Sequence, residues 1–260
     1  MPRVALGLEY NGTAFAGWQV QPDQPTVQGV LERALSRVAD HPVQVQCAGR
    51  TDAGVHATAQ VVHFDSDAPR TLWSWILGAN ANLPRGVAVN WARDVPDDFH
   101  ARFSARSRSY RYRLLNRPTR AGLDADRVAW LHRPLDADAM HAAAQQLLGE
   151  HDFSAFRAQG CQAKTPVRTL HRLDVVRDGD EVRFEVRANA FLHHMVRNLV
   201  GSLCRVGIGE RDAAWLRAVL DGRGRARAVA TASPSGLYLV AVEYPAGYGL
   251  PDGAVSSTPA

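Results

Sequence analysis

A single aspartate in a polar, glycine-flanked loop is the residue of this sequence best suited to chemistry. Asp52 lies within residues 49–54, between stretches 43–47 and 60–64, which read as buried β-strands. Glycine lets a backbone adopt positive φ or approach a ligand closely, so the loop can present a side chain. A carboxylate presented in this way can act as a nucleophile or as a base. An Asp beside Gly and Thr is also typical of an Asx turn, which local chemistry alone favours.

The arginine-rich stretch 101–120 is the second candidate. It holds seven arginines and no acidic residue, with three aromatic residues among them. The basic residues are Arg102, Arg106, Arg108, Arg111, Arg113, Arg117 and Arg120, and the aromatic ones are Phe103, Tyr110 and Tyr112. A strand over 106–115 would place Arg108 and Tyr110 on one face and Arg111 on the other. The pattern fits phosphate binding as well as it fits an ordinary solvated face.

Two similar successions of strands and helices position these candidates. The apolar spacing predicts strands at 4–10, 87–92, 106–115, 169–177, 181–187 and 237–242, besides those flanking the loop, and helices at 27–38, 72–81, 136–148, 195–204 and 212–220. This order indicates an α+β fold with helices packed on a sheet. We expect an N-terminal α/β subdomain over 1–105, a C-terminal one over 106–246 and a flexible tail over 247–260.

Composition places the chain among ordinary globular proteins. It has 260 residues, 46% of them hydrophobic, and a net charge of +4. No apolar run reaches the length of a membrane span and the N-terminus lacks a signal-peptide pattern, so a cytoplasmic location is expected. Three cysteines without CxxC spacing suggest neither a disulfide framework nor a cysteine zinc site.

Residues 49–56, Gly-Arg-Thr-Asp-Ala-Gly-Val-His, resemble the catalytic-loop signature of the TruA family of tRNA pseudouridine synthases. Five further blocks of the chain resemble that family in the same order. They are residues 97–104, 108–112, 152–156, 190–198 and 236–240. One departure is Ser109, where many relatives carry a basic residue, which puts one phosphate contact in doubt.

The resemblance implies an activity and a fold. The fold would be two similar α/β subdomains that share one continuous, mostly antiparallel sheet, with a basic cleft between the halves. The activity would be the isomerisation of uridine to pseudouridine at positions 38–40 of the tRNA anticodon stem-loop, with an essential aspartate and without a cofactor or metal. Relatives act as homodimers on tRNA, so a homodimer is expected.

The resemblance also assigns residue roles. Asp52 is the catalytic carboxylate, Arg197 is its cationic partner, and Tyr110 packs against the uracil. A carboxylate desolvated beside a flipped base has a raised pKa unless a cation offsets this, and Arg197 lies off the apolar stripe of its predicted helix. The remaining substrate-binding residues implied are Arg50, His56, Arg108, Arg111, Phe153 and Leu237.

Two other functions remain open from the residues alone. A non-catalytic RNA-binding module would bind RNA through the basic stretch and its aromatic residues, and Asp52 would have no special role in it. A glycosidase or nucleosidase would need a second carboxylate, and none lies near Asp52 in the sequence. A metal site is disfavoured, because the histidines lack an HExxH or facial-triad arrangement. Residues 51–54 also lack the Asp-Thr-Gly of an aspartic protease.

Overall fold

The computed structural model of the chain describes residues 1–222 and 230–251. Within these residues the helices are α1 (Val27–Ala39), α2 (Leu72–Asn82), α3 (Ala137–Gln145), α4 (Met195–Gly207) and α5 (Ala213–Leu220). The strands are β1 (Arg3–Tyr10), β2 (Gln46–Cys47), β3 (His56–Asp65), β4 (Val87–Val95), β5 (Ser107–Leu115), β6 (Ala129–Trp130), β7 (Gly149–Asp152), β8 (Val167–Asp178), β9 (Glu181–Ala188) and β10 (Leu237–Glu243).

The strands form a ten-stranded, mostly antiparallel sheet, which confirms the predicted α+β class. Its order is β4-β1-β3-β10-β5-β9-β8-β7, with β2 on β3 and β6 on β5. All five predicted helices are present. The strand predicted over 43–47 is reduced to β2, and the short strands β6 and β7 were not predicted. Short strands carry too few residues for an alternation of apolar and polar side chains to stand out.

The first of two compact units comprises Met1–Arg108 and the described residues from Tyr238 onward. Strand β1 pairs antiparallel with both β3 and β4. Thr26 caps the N-terminus of helix α1, because its Oγ1 accepts a hydrogen bond from Gly29 N at 3.3 Å. Asp40, in the left-handed region, caps the C-terminus. The apolar side of α1 and the inner face of the sheet are buried together, so the loop between β2 and β3 is attached to a packed core.

The second unit comprises Ser109–Leu237. Strands β8 and β9 form the predicted hairpin, with Asp178 paired to Glu181 and Gly179 in the left-handed region that such a turn requires. Helix α3 packs against β8 and against α4. Met195, Leu199 and other apolar residues of α4 are buried, as their helical spacing predicts.

The closing strand belongs to a different unit from the one expected. The sequence assigned everything from 106 to 246 to a C-terminal subdomain, whereas β10 from Tyr238 onward groups with the first unit. Strand β10 pairs parallel with β3, with Tyr238 opposite His56 and Leu239 opposite Ala57. Such a pairing between residues so distant in sequence leaves no local signal.

Two sequence-based expectations lie wholly or partly outside the described residues. The basic loop through Arg223, Arg225 and Arg227 is one, and most of the predicted tail over 247–260 is the other. Of the helices in the described part of the chain, none combines the length and apolar character needed to cross a bilayer.

Candidate active site

The loop that carries Asp52 is held at its start by a buried glutamine. Gln60 of β3 donates from Nε2 to Gly49 O at 2.7 Å, and its Oε1 accepts from Gly49 N at 3.4 Å. Its side chain is fully buried, so water does not compete for these bonds. Ala48 N also donates to Val61 O at 2.8 Å, which continues the sheet pairing to the edge of the loop.

Thr51, directly before the aspartate, is fixed from two sides. Its carbonyl accepts a hydrogen bond from Trp18 N at 2.9 Å, and its hydroxyl lies 2.8 Å from the Tyr10 hydroxyl. A turn then closes behind Asp52, because Val55 N donates to Asp52 O at 3.1 Å. Thr51 and Val55 are buried and Asp52 is partly exposed. The loop therefore presents one carboxylate from a rigid backbone, which is the arrangement that catalysis by a side chain needs.

Gly17 brings a second segment against the aspartate's backbone. Its φ is +99°, and a Cβ there would lie 2.9 Å from Thr51 O and 3.1 Å from the Asp52 carbonyl carbon. Such distances are closer than real side chains tolerate, so only glycine fits without displacing the loop.

Gly17→Ala is expected to slow turnover by roughly ten- to a hundredfold while leaving substrate affinity within a few fold, because the carboxylate is displaced and the binding surface is not. Single-turnover rates and binding constants measure the two effects separately. Gly247→Ala is the matched control, since a Cβ at Gly247 meets nothing within 4 Å. Wild-type turnover by Gly17→Ala would show that the close approach does not position Asp52.

His56, which ends the signature, is a buried supporting residue. Its side chain is 1% exposed, its Nδ1 accepts from Gly12 N at 3.1 Å, and its ring stacks on Tyr238 with centroids 4.6 Å apart. These contacts tie the start of β3 to β1 and β10. A direct contact between His56 and a substrate would require this stack to open.

Arg108, expected to bind substrate, is buried and bonded to protein carbonyls. It is 8% exposed, and its guanidinium donates to Ala48 O at 3.0 Å, to Ala105 O at 3.2 Å and to Arg102 O. Arg108 thus joins the segment before the catalytic loop to the segment that follows β4. Five fixed donors on a planar group make arginine suited to bridging several carbonyls.

Most of the basic and aromatic side chains of β5 have partners within the protein. Tyr112 is buried and donates from Oη to Ser233 O at 2.9 Å. On the other face, Arg111 Nε lies 2.6 Å from Glu185 Oε1, and Arg113 pairs with Glu181 at 2.8 Å. Both glutamates lie on β9, about seventy residues later in the sequence. The arginines of stretch 101–120 therefore have acidic partners that this stretch itself does not contain.

In the second unit, Tyr110 and Arg197 occupy defined positions. Tyr110 is 8% exposed and meets Phe191 edge to face, with centroids 5.1 Å apart. Arg197 lies on α4, partly exposed, and donates from Nε to Ala232 O at 2.8 Å. Phe153 and Leu237 are buried, and Phe153 packs near His151 and Phe156. A substrate contact by Phe153 would require this core to open.

Sequence reasoning missed Gln60 and the structural role of Arg108. Gln60 interrupts the apolar residues Ala59, Val61 and Val62 of β3, and a buried polar side chain has to be hydrogen-bonded, so that interruption was a usable signal. Nothing local distinguishes Arg108 from the neighbouring Arg106, which is exposed.

Two histidines, the buried His63 and the partly exposed His100, support the turn at residues 99–104. His63 Nδ1 accepts from Ala101 N at 3.1 Å, and the His63 ring lies 4.6 Å from that of His100. Burial, together with the positive charge of His100 and Arg3, lowers the pKa of His63 from 6.5 to about 4, with Asp65 opposing. His63 is therefore neutral at pH 7 and can accept the Ala101 bond.

Acid is expected to destabilise this unit through His63. Between pH 6.5 and 4 the unfolded chain binds a proton at this position that the folded chain does not, so stability falls as the pH is lowered. The loss should be about 2 kcal/mol at pH 5 relative to pH 7, measured by urea unfolding. His63→Gln keeps an acceptor but cannot titrate, so its loss should be smaller; an equal loss in both proteins would contradict this assignment.

The fold and the site together define the class of protein. It is an α+β protein in which a rigid loop attached to the central sheet presents one carboxylate. A family model for tRNA pseudouridine synthase matches residues 8–104 and 143–245. Relatives named tRNA pseudouridine synthase A occur in Alcanivorax borkumensis, at 56% identity over 97% of this chain and 95% of the relative, and in Paraburkholderia phymatum, at 54% identity over 100% and 97%. The chain belongs to the tRNA pseudouridine synthase family.

The likeness to solved structures is weaker. An archaeal box H/ACA sRNP Nop10–Cbf5 complex matches 77% of this chain and 44% of its own chain, with a TM-score of 0.37 and 13% identity. The family assignment does not depend on it.

Proposed function

We propose that this protein isomerises uridine to pseudouridine in tRNA, at positions 38–40 of the anticodon stem-loop, with Asp52 as the essential carboxylate. The observation that carries the proposal is the partly exposed Asp52 on a loop held by Gln60, Tyr10 and Trp18, within a chain of this family. The anticodon position comes from the resemblance of residues 49–56 to the family signature.

The isomerisation of uridine to pseudouridine requires a carboxylate and no co-reactant. The N1–C1′ bond of uridine breaks, the uracil turns, and a C5–C1′ bond forms; the proton lost from C5 is balanced by the one gained at N1. Product and substrate are isomers, so atoms and electrons balance without an oxidant or a reductant. An ionised Asp52 can attack the nucleotide or take a proton from the sugar.

Three further assignments complete the proposal. Arg50, exposed two residues before Asp52, contacts RNA phosphate or occupies the space left by the extruded base. Tyr110 packs against the uracil and Arg197 supplies positive charge for the reaction, both by resemblance. The protein acts as a homodimer on tRNA, which light scattering of the purified protein tests.

The deciding experiment is a pseudouridine assay on an unmodified tRNA transcript. We expect carbodiimide-dependent primer-extension stops that report pseudouridine at positions 38–40 after incubation with the protein alone. A transcript with cytidine at these positions is the control and should give no stop there. Tight tRNA binding without any pseudouridine would favour a non-catalytic RNA-binding module and overturn the proposal.

A further inference from the structure

An exposed aromatic ring lies on the turn that follows β4. Phe103 is 75% exposed, yet its ring packs on that of His100 with centroids 4.3 Å apart, and the Arg102 guanidinium carbon lies 5.5 Å from its centroid. We call Arg102 and Phe103 the 102–103 platform. A large apolar side chain left in water is ordinary, but a ring that contacts a histidine and an arginine and stays largely exposed offers an aromatic surface beside a positive charge.

The turn beneath the platform is rigid. His100 and Ser104 exchange two hydrogen bonds of 2.9 Å, and the backbone N–H groups of Arg102 and Phe103 both point to His100 Nδ1, at 3.1 and 3.3 Å. Ala101 O accepts from the Tyr244 hydroxyl at 2.6 Å. The Phe103 backbone is thus pre-organised, and a ligand that stacks on the ring does not have to order this turn first.

Arg108 connects the platform to the catalytic loop. Its guanidinium donates both to Arg102 O and to Ala48 O, the latter four residues before Asp52. Cys47 lies just before that loop; its burial raises the pKa of the thiol to about 12, and the charges of Arg50 and Arg102 both oppose the rise. Both guanidinium groups therefore act electrostatically on the residue that precedes the loop.

The surroundings carry positive charge that acids do not cancel. Arg50, Arg102 and Arg106 are exposed, and among the described residues no carboxylate lies within 4 Å of their guanidinium groups. This contrasts with Arg111 and Arg113 of β5, which are paired with glutamates. A flat aromatic surface flanked by unpaired arginines is suited to a base and its phosphate, which stack and pair with these groups.

We propose that the 102–103 platform binds an unpaired nucleotide of the tRNA next to the target uridine, its base stacked on Phe103 and its phosphate against Arg102. The inference rests on the proposed function and adds to it a specific contact outside the residues assigned to the chemistry. Stacking is indifferent to base identity, so the platform would hold RNA of varied sequence near the loop.

The first test measures tRNA affinity by fluorescence anisotropy in the Asp52→Asn background, where turnover does not complicate binding. Phe103→Ala should weaken binding roughly tenfold, because a stacked base loses its partner. Phe103→Leu should weaken it nearly as much, since it keeps apolar area but no aromatic face. Trp73→Ala is the matched control: Trp73 is 64% exposed, on α2, and should leave affinity unchanged.

The second test detects stacking directly and does not depend on a change in affinity. A stem-loop RNA with 2-aminopurine at one loop position at a time, mixed with the Asp52→Asn protein, should lose fluorescence at one position next to the target, and Phe103→Ala should restore it. The absence of any Phe103-dependent quenching would overturn the proposal. This holds even if Phe103→Ala proves unstable, because Phe103→Leu can take its place.

Three further outcomes are distinguished by these measurements. If Phe103→Ala changes the oligomeric state in the absence of RNA and Trp73→Ala does not, the platform is a contact between copies of this chain. If wild type forms pseudouridine while Phe103→Ala binds tRNA as tightly as Trp73→Ala does, the platform has no role and the proposed function stands. If wild type forms no pseudouridine, the proposed function fails, whereas the stacking test retains its own result.

Discussion

Replacing Asp52 with asparagine is expected to lower pseudouridine formation by roughly 10³-fold or more, with tRNA affinity within a few fold of wild type. The amide is nearly the same size and keeps the turn, because the bond from Val55 N goes to the Asp52 backbone carbonyl. The amide lacks the negative charge and the basicity of the carboxylate. Both are needed whether Asp52 attacks the nucleotide or takes a proton from the sugar.

The measurement is a single-turnover rate at saturating protein together with a binding constant for the same tRNA. Asp94→Asn is the matched control, because Asp94 is an exposed aspartate on β4 of the same unit. Substantial turnover by Asp52→Asn would exclude the carboxylate mechanism. Loss of binding in parallel with rate would instead make Asp52 a structural residue of the loop.

Arg108→Met has the largest expected effect on stability. The substitution leaves the carbonyls of Ala48, Arg102 and Ala105 without their buried donor, which costs about 3 kcal/mol. Turnover should also fall, because the segment before the catalytic loop loses the hydrogen bonds from Arg108 to Ala48 O. Urea unfolding measures the first effect and a single-turnover assay the second.

Arg106→Met separates this role from phosphate binding. Arg106 is exposed and lies two residues before Arg108, so its replacement should change stability little. If Arg108 contacted RNA phosphate, its loss would reduce the salt dependence of tRNA binding and leave unfolding unchanged. That result would restore the substrate-binding role expected from the sequence.

The arginines show where sequence reasoning stops. Seven basic residues without an acid between 101 and 120 fitted a phosphate-binding strand and an ordinary solvated face equally well. In the fold, Arg111 and Arg113 pair with glutamates of β9 and Arg108 is buried among carbonyls, whereas Arg102, Arg106 and Arg120 are exposed. The glutamates that pair with Arg111 and Arg113, and the Ala48 carbonyl that Arg108 reaches, are distant in sequence, so counting charges along the chain could not assign them.

The site was predictable where local chemistry decides it. The apolar spacing over 27–38 predicted α1, and two glycines around Asp52 predicted a loop between strands. The rigidity of that loop was not predictable, because Gln60, Tyr10 and Trp18 reach it from other elements.

By itself, the sequence determined the α+β class, the order of the main elements and the loop that presents Asp52, since periodicity and turn residues act over a few positions. Only the tertiary structure decided which arginines remain available, which strand closes the first unit and why His56 is buried. These depend on pairings such as β10 with β3 and β9 with β5, which bring together residues far apart in the chain. The catalytic carboxylate could be predicted from the sequence, whereas the contacts that hold its loop rigid depend on tertiary packing.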